Sequence, residues 1–238
     1  MKNLELIHLT NMDRNSLAPK LRFRDIKNEH SKYAFSEIAE KRSKAYNPNK
    51  NLTNFKCIEL ESISKETGTL LNVFNSVDLK SNKTKFKEGD VLFGKLRPYL
   101  KKYLLTTFDG VCTSEIWVLN GIKVCNSYLF QLVQTQKFLF EANITSGSKM
   151  PRADWEYVSS IKYCIPSFSE QNKIASFLSS VDKKINFLTK KKALLETYKK
   201  GVLQKIFSQE IRFKDEDGKG FPDWEEKKLG EIGKFKTS

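Results

Sequence analysis

The stretch of residues 166–207 constrains the fold most strongly, because after its first residue it contains no proline and only one glycine, Gly201. Ser167 and Glu170 stand three residues apart at its start, which is the spacing of a capping box. The sequence therefore predicts one long helix. At 1.5 Å per residue, roughly 40 residues give a rod of about 60 Å. A rod of that length cannot be buried under a domain of about 165 residues, so most of the helix is expected to project.

One face of this predicted helix carries apolar residues at the alternating four-and-three spacing of a heptad seam. The seam comprises Ile174, Leu178, Val181, Ile185, Leu188, Leu195, Val202 and Ile206. Lys192 and Lys199 occupy two of the expected apolar positions. A narrow apolar stripe of this kind predicts a partner helix.

The chain carries a large excess of positive charge. Its 238 residues include 42 Lys and Arg against 28 Asp and Glu, which leaves a net charge of +14. Such an excess favours a polyanionic partner, because binding releases counterions from phosphates. Nucleic acid is the leading candidate, and an anionic membrane surface is the second.

Several classes of protein are disfavoured by what the sequence lacks. It contains no run of 18 apolar residues and no signal-peptide pattern at its N-terminus, so a soluble, cytoplasmic protein is expected. The four cysteines show no C-x-x-C pairing, so neither a zinc site nor a disulfide framework is expected.

Two short patterns recur in the same order on either side of the predicted helix, about 190 residues apart. Residues 21–25 (LRFRD) are followed by residues 34–39 (AFSEIA), and residues 211–215 (IRFKD) are followed by residues 228–233 (KLGEIG). The chain therefore contains one complete repeat and the opening of a second.

The segment between the first pattern and the helix predicts an α+β domain with a curved, mostly antiparallel sheet and flanking helices. Strands are expected at residues 55–61, 91–93, 111–119 and 161–165, and a helix capped by Asn126 at residues 126–141. The predicted organisation is a flexible arm (1–20), a globular domain (21–165), the long coiled-coil helix (166–208) and the start of a truncated second repeat (209–238).

Catalytic machinery is not predicted. His8 and His30 are the only histidines and both lie near the N-terminus, before the first predicted strand at residues 55–61, so the predicted strands and helices hold no material for a histidine-based triad or metal site. Residues 89–95 match the glycine and lysine spacing of a phosphate-binding loop, but Leu96 stands where a magnesium-binding Ser or Thr is required. We therefore expect a binding protein without catalytic or metal-binding residues.

Cations on predicted turns are the candidate DNA contacts, because turn side chains can reach a groove without disturbing the core. Arginine and lysine can donate to guanine, and asparagines such as Asn47 and Asn49 can pair with adenine. Arg97 and Arg152 lead the candidates because each is next to a proline. The complete set is Lys41, Arg42, Lys44, Lys95, Arg97, Lys101, Lys102, Lys149 and Arg152.

Four stretches of the chain closely resemble the DNA specificity (S) subunit of type I restriction-modification systems. They are residues 89–98 (GDVLFGKLRP), 146–151 (SGSKMP), 165–175 (IPSFSEQNKIA) and 221–224 (FPDW). The resemblance covers nearly all of the chain past residue 20.

This resemblance implies that residues 21–165 form a target-recognition domain for one half of a bipartite double-stranded DNA site. It implies that the long helix sets the distance to the other half and that methyltransferase subunits dock on such helices, with motor-nuclease restriction subunits joining them. The chain itself would be non-catalytic and bind no cofactor, while the partner subunits would use S-adenosylmethionine, ATP and magnesium.

The sequence departs from that plan because a second recognition domain and a second spacer helix do not follow before Ser238. Two interpretations stay open: a shortened half of a longer subunit, or a half that forms a homodimer through the helix seam. Two other functions also stay open. One is a structural adaptor that gathers enzyme subunits without recognising DNA, and the other, disfavoured by the missing motifs, is an independent endonuclease or methyltransferase.

Overall fold

The computed structural model describes residues 22–23, 26, 30–50, 53–76, 81–144 and 150–234. The chain divides into two compact units, Met1–Val181 and Asp182–Ser238. The predicted arm (1–20) and Lys149 lie outside the described residues. In the described part, no helix is both long enough and apolar enough to cross a membrane.

The first unit combines short strands with short helices. Its strands are β1 (Ser31–Ala34), β2 (Ala39–Arg42), β3 (Ala45–Tyr46), β4 (Lys56–Ile58), β5 (Phe74–Asn75), β6 (Lys83–Phe86), β7 (Val91–Gly94), β8 (Tyr103–Leu105), β9 (Gly110–Thr113), β10 (Ile116–Gly121) and β11 (Lys162–Ile165). Its short helices are α1 (Phe35–Ile38), α2 (Asn126–Leu132), α3 (Gln136–Ala142) and α4 (Trp155–Ser160). The long helix α5 (Phe168–Phe207) begins in this unit, and the one-turn helix α6 (Leu229–Ile232) belongs to the second unit.

The strands form three sheets with the orders β1-β11, β2-β10-β7-β8 and β3-β6-β9-β4-β5. Neighbouring strands in these sheets are antiparallel, except that β4 is parallel to β9. The fold class is therefore the predicted α+β class with mostly antiparallel sheets, followed by a long helix.

The four-stranded sheet lies between two hydrophobic clusters, because successive strand residues point to opposite faces. On β10, Trp117 and Leu119 join the cluster that contains helix residues such as Phe138. Val118 instead joins the cluster that contains Ile58 and Phe86 of the five-stranded sheet. The helices α1–α4 thus pack on one face of this sheet and the five-stranded sheet packs on the other.

Three predicted elements are shorter than the sequence suggested. The predicted strand 111–119 breaks at a turn over Ser114 and Glu115 into β9 and β10, which belong to different sheets. The predicted strand 55–61 ends as β4 at Ile58, and Leu60–Ser62 form a 3-10 turn.

The predicted helix 126–141 is divided into α2 and α3 because the Thr135 hydroxyl accepts a hydrogen bond from the Phe138 N–H and starts a new helix. The prediction of Asn126 as the cap of the first helix is wrong. Cys125 is the capping residue, and the Asn126 side chain accepts a hydrogen bond from Gly121 N at 2.6 Å.

The long helix is confirmed as a continuous element of 40 residues. At its start, the Ser167 hydroxyl accepts a hydrogen bond from Glu170 N at 3.4 Å, as expected for half of a capping box. The Glu170 carboxylate does not complete the box but binds Arg22 and His30. This acid therefore joins two distant parts of the first unit.

The recurring patterns form the same local structure. Helices α1 and α6 are both single turns of four residues that begin after an extended residue and end before another. In α1, Phe35 and Ile38 are fully buried, whereas the corresponding Leu229 and Ile232 of α6 are each 68% exposed. The second unit therefore presents the apolar side chains that the first unit buries.

Candidate nucleic-acid interface

Three loops meet where β7 ends and β10 begins. Because Gly94 of β7 pairs with Ile116 of β10, the residues that follow β7 lie next to the turn that precedes β10. Lys95 N donates to Glu115 O at 2.9 Å, which joins the first two loops. We call residues 95–100, 114–115 and 150–155 the loop cluster.

The third loop joins through a short β-like pairing between Leu96 and Arg152. Arg97 N donates to Pro151 O at 2.8 Å, and Ala153 N donates to Lys95 O at 2.9 Å. These backbone bonds bring together segments that are more than 50 residues apart in sequence and fix the positions of their side chains.

Four of the predicted DNA contacts belong to or face this cluster. Lys95, Arg97 and Arg152 are part of it, and Lys41 extends from β2 with its ammonium 5.0 Å from the centre of the Trp155 ring. Burial, and then the nearby charge of Lys95, lower the pKa of Lys41. A phosphate placed here would relieve the repulsion between these two lysines.

The two leading arginines differ in their surroundings. Arg152 donates to both carboxylate oxygens of Glu115, at 2.9 and 3.4 Å, so part of its charge is already balanced. Arg97 is exposed, and no ion pair found among the described residues includes it. Arg97 is therefore the guanidinium of the cluster whose charge no carboxylate of the described residues balances.

Arg42 lies on the opposite face of the sheet from its neighbour Lys41, because adjacent strand residues alternate. Its guanidinium lies 3.0 Å from the carboxylate of Asp90, which is 1% exposed. Burial raises the pKa of Asp90, while the backbone N–H of Lys87 and the charge of Arg42 oppose that rise. This geometry favours a structural role for Arg42, and its contact with DNA stays a prediction.

The remaining predicted contacts lie outside the loop cluster. Lys101 forms an ion pair with Glu66 at 2.8 Å, and this hydrogen bond lowers the pKa of Glu66. The Lys102 ammonium donates a hydrogen bond to the Leu60 carbonyl, and burial lowers the pKa of Lys102. Lys44 is exposed beside β3.

The loop after Lys44 holds its own asparagines in place. Asn49 N donates to the Asn47 side-chain oxygen at 2.9 Å, which forms a local turn. That oxygen is therefore already used in shaping the loop.

Among the cations that sequence reasoning missed, two on the five-stranded sheet are held over aromatic rings. Lys85 lies 4.8 Å from the centre of Phe55 and 5.6 Å from that of Tyr46, and Lys56 lies 4.9 Å from that of Phe108. For Lys85, the alternation of Lys83 and Lys85 along β6 was the available signal, because it puts both lysines on one face.

The predicted helix seam has two kinds of position. Ile174, Leu178, Val202 and Ile206 are half-buried. Val181, Ile185, Leu188 and Leu195 are exposed. Association of a second helix with the seam stays a prediction.

Comparisons with a family model, with relatives and with solved structures agree on one family. The family model described as type I restriction modification DNA specificity domain matches residues 30–197. The chain is 27% identical over 139 residues to the type I restriction enzyme EcoDI specificity subunit of Escherichia coli. That match covers 55% of this chain and 30% of the relative.

Solved structures share the fold. The HsdS subunit from Thermoanaerobacter tengcongensis has a TM-score of 0.60 at 18% identity, covering 76% of this chain and 49% of that one. A structure described as the basis of complex assembly and conformational transition of the type I R-M system also has a TM-score of 0.60 at 18% identity, covering 81% and 51%. The chain thus spans less than a third of the curated relative and about half of each solved chain. Because the family model matches more than half of its 238 residues, this protein belongs to the type I restriction-modification DNA specificity family.

Proposed function

We propose that this chain is the DNA-recognition component of a type I restriction-modification complex and binds one half of a bipartite duplex site through the loop cluster. One observation carries this proposal. Three segments that are distant in sequence converge at the end of the four-stranded sheet where β7 ends and β10 begins, and they bring together Lys41, Lys95, Arg97 and Arg152. Backbone hydrogen bonds fix the loops, so the cations are arranged before DNA arrives.

The chain itself performs no chemistry in this proposal. Methyltransferase subunits, and motor-nuclease subunits through them, supply the reactions and use S-adenosylmethionine, ATP and magnesium in the cytoplasm. A solved structure of similar fold, which concerns complex assembly of the type I R-M system, supports partners of this kind. The exposed surface of α5 is the proposed docking site for the methyltransferase subunits.

A pool of duplexes with a randomised central segment tests recognition directly. The chain, with its methyltransferase subunit, is expected to enrich one motif from the pool. Arg97→Ala and Arg152→Ala are expected to lose preference for that motif, whereas Lys32→Ala, an exposed cation on the two-stranded sheet, is expected to keep it. Retention of the preference in both arginine variants would show that the loop cluster is not the recognition surface.

The second candidate function is an adaptor that gathers enzyme subunits without recognising DNA. It is favoured by the carboxylate partners of Arg42, Lys101 and Arg152, which reduce the positive charge available to phosphates. An adaptor would enrich no motif from the pool and would bind all duplexes equally weakly, while still assembling with its partner subunits.

A second copy of the chain is the partner proposed for the seam. Exposed Ile185 and Leu188 lie one turn apart on it, as a paired helix requires. Light scattering is expected to give the mass of a dimer at micromolar concentration, and Leu188→Glu is expected to give a monomer. A strict monomer in the unchanged protein would rule out the homodimer, and a dimer that survives Leu188→Glu would show that the seam is not its interface.

A further inference from the structure

The segment between β7 and β8 contains a turn with unusual backbone geometry. Pro98–Leu100 form one 3-10 turn, bracketed by Arg97 at φ 52° and ψ 61° and by Lys101 at φ 49° and ψ 52°. Both residues lie in the left-handed region, which L-residues other than glycine adopt infrequently. A residue that precedes proline, as Arg97 does, also normally favours an extended backbone.

Contacts from outside the turn hold this geometry on both sides. Arg97 N donates to Pro151 O at 2.8 Å, and Lys101 O accepts from Glu66 N at 3.0 Å. Pro98 is buried, and the turn lies against helix α3. The strained backbone is therefore imposed by the surrounding fold, a situation found most often at functional sites.

The residue presented by this turn is Tyr99. Its side chain is 52% exposed, although it is a large aromatic group at the centre of a fixed turn. Within the described part of the chain, no ring packs on Tyr99 and no hydrogen bond to its hydroxyl is found. The fold thus holds an aromatic ring at the surface where burial would otherwise stabilise it.

The charge around Tyr99 indicates its ligand. Arg97 precedes it by two residues and Lys101 follows it by two, while Lys95 and Arg152 belong to the same loop cluster. An exposed aromatic ring among cations matches a nucleic acid, which offers phosphates to the cations and flat bases to the ring. A purely apolar protein surface would leave Arg97, which forms no ion pair among the described residues, without a charged partner.

We infer that Tyr99 inserts at a base step of the bound duplex and stacks on a base that this insertion unstacks, while the flanking cations hold the phosphates. This inference rests on the proposed DNA-binding function and adds to it a contact that acts through the face of a base. Because every base has such a face, the contact contributes to affinity without selecting a sequence. Because the backbone of the turn is already fixed, stacking of the ring does not require the turn to become ordered on binding.

The test compares Tyr99→Phe and Tyr99→Ala in the full chain with its methyltransferase subunit, using the pool of randomised duplexes as the probe. Tyr99→Phe keeps the ring and is expected to bind within about 2-fold of the unchanged protein. Tyr99→Ala is expected to lower affinity by roughly 5-fold, the lower end of the range for one lost base stack, because the cost of unstacking a base step offsets part of the gain. Ile122→Ala, which removes another exposed apolar side chain (58%), is the control and is expected to have no effect.

Salt dependence separates stacking from charge. The slope of log affinity against log salt counts phosphate contacts, so it is expected to stay constant in Tyr99→Ala and to fall by about one contact in Arg97→Ala. Thermal melting of Tyr99→Ala is expected to match the unchanged protein, because the side chain is exposed.

The outcomes distinguish the two proposals. If the unchanged protein binds no DNA, the proposed function fails and the inference fails with it. If it binds but Tyr99→Ala binds equally well, only the inference is overturned. Unchanged DNA binding with loss of the methyltransferase subunit would assign Tyr99 to a protein interface and would also overturn it.

Discussion

Arg22 donates two hydrogen bonds to Glu170, at 3.0 and 2.7 Å, although the two residues are separated by 148 positions in the sequence. Glu170 lies in the first turn of α5 and its side chain is 1% exposed. His30 Nε2 lies 3.2 Å from the same carboxylate. The contact ties the segment before β1 to the start of the long helix, and both lie within the first unit.

Removing Arg22 is expected to destabilise the fold, because it leaves a buried carboxylate without its main partner. We expect Arg22→Ala to lower the free energy of unfolding by about 3 kcal/mol, measured by urea denaturation of the full chain. The matched control is Arg212→Ala, the corresponding arginine of the second repeat. Arg212 donates to Asp223, which is 96% exposed, and to the carbonyls of the exposed residues Phe221 and Pro222. Its removal leaves no buried charge without a partner, so a loss below about 1 kcal/mol is expected. Equal losses in the two variants would contradict this account.

The same ion pair predicts how stability responds to acid. Burial alone would raise the pKa of Glu170, but the hydrogen bonds and charge of Arg22, assisted by His30, outweigh it and lower that pKa. A carboxyl group with a lower pKa in the folded state stabilises the fold above its unfolded pKa, and this stabilisation is lost as pH falls through the folded pKa.

We therefore expect Glu170→Gln to be less stable than the unchanged protein at pH 7 and the difference to shrink below about pH 4. Urea midpoints measured between pH 7 and pH 3 check this. A difference that stays constant over that range would show that the charge of Glu170 does not stabilise the fold.

Local patterns in the sequence predicted the elements that depend on local chemistry. The long helix follows from a stretch that has no proline after its first residue, and its observed bounds, Phe168–Phe207, differ from the predicted 166–208 by two residues at the start and one at the end. The recurrence of the α1 pattern in α6 was also visible, because both turns are encoded by neighbouring residues.

Features that depend on distant contacts were not predictable in this way. The sequence does not indicate that Lys41 and Arg42 face opposite ways, because residues 39–42 (AEKR) lack the β-branched and aromatic residues that indicate a strand. The strand forms through pairing with β10, and its alternation separates the two cations. The division of residues 111–119 was missed because neither glycine nor proline marks the turn. Likewise, no local signal showed that Glu170 faces Arg22 or that Tyr99 is exposed.

Arg42 is paired with a buried carboxylate, whereas Arg97 forms no ion pair among the described residues. Replacing each arginine is therefore expected to affect stability differently. Arg42→Ala leaves the buried Asp90 carboxylate without its guanidinium, so we expect a loss of about 2 kcal/mol in the free energy of unfolding. Arg97→Ala removes an exposed side chain and is expected to change stability by less than about 0.5 kcal/mol. Urea denaturation of both variants measures this difference. Similar stability losses would show that the side chain of Arg97 also supports the fold.

Gly121 gives the sharpest test of packing in the first unit. A Cβ atom at this position would lie 1.9 Å from the Val124 carbonyl oxygen, so the turn after β10 would have to move. We expect Gly121→Ala to lower the free energy of unfolding by about 3 kcal/mol.

The control is Gly201→Ala in α5, where no atom lies within 4 Å of the added carbon. Alanine favours a helix over glycine, so this control is expected to raise helix stability by roughly 0.5–1 kcal/mol. Thermal unfolding followed by circular dichroism measures both changes, and a Gly121→Ala protein as stable as the unchanged one would contradict the close approach of Val124.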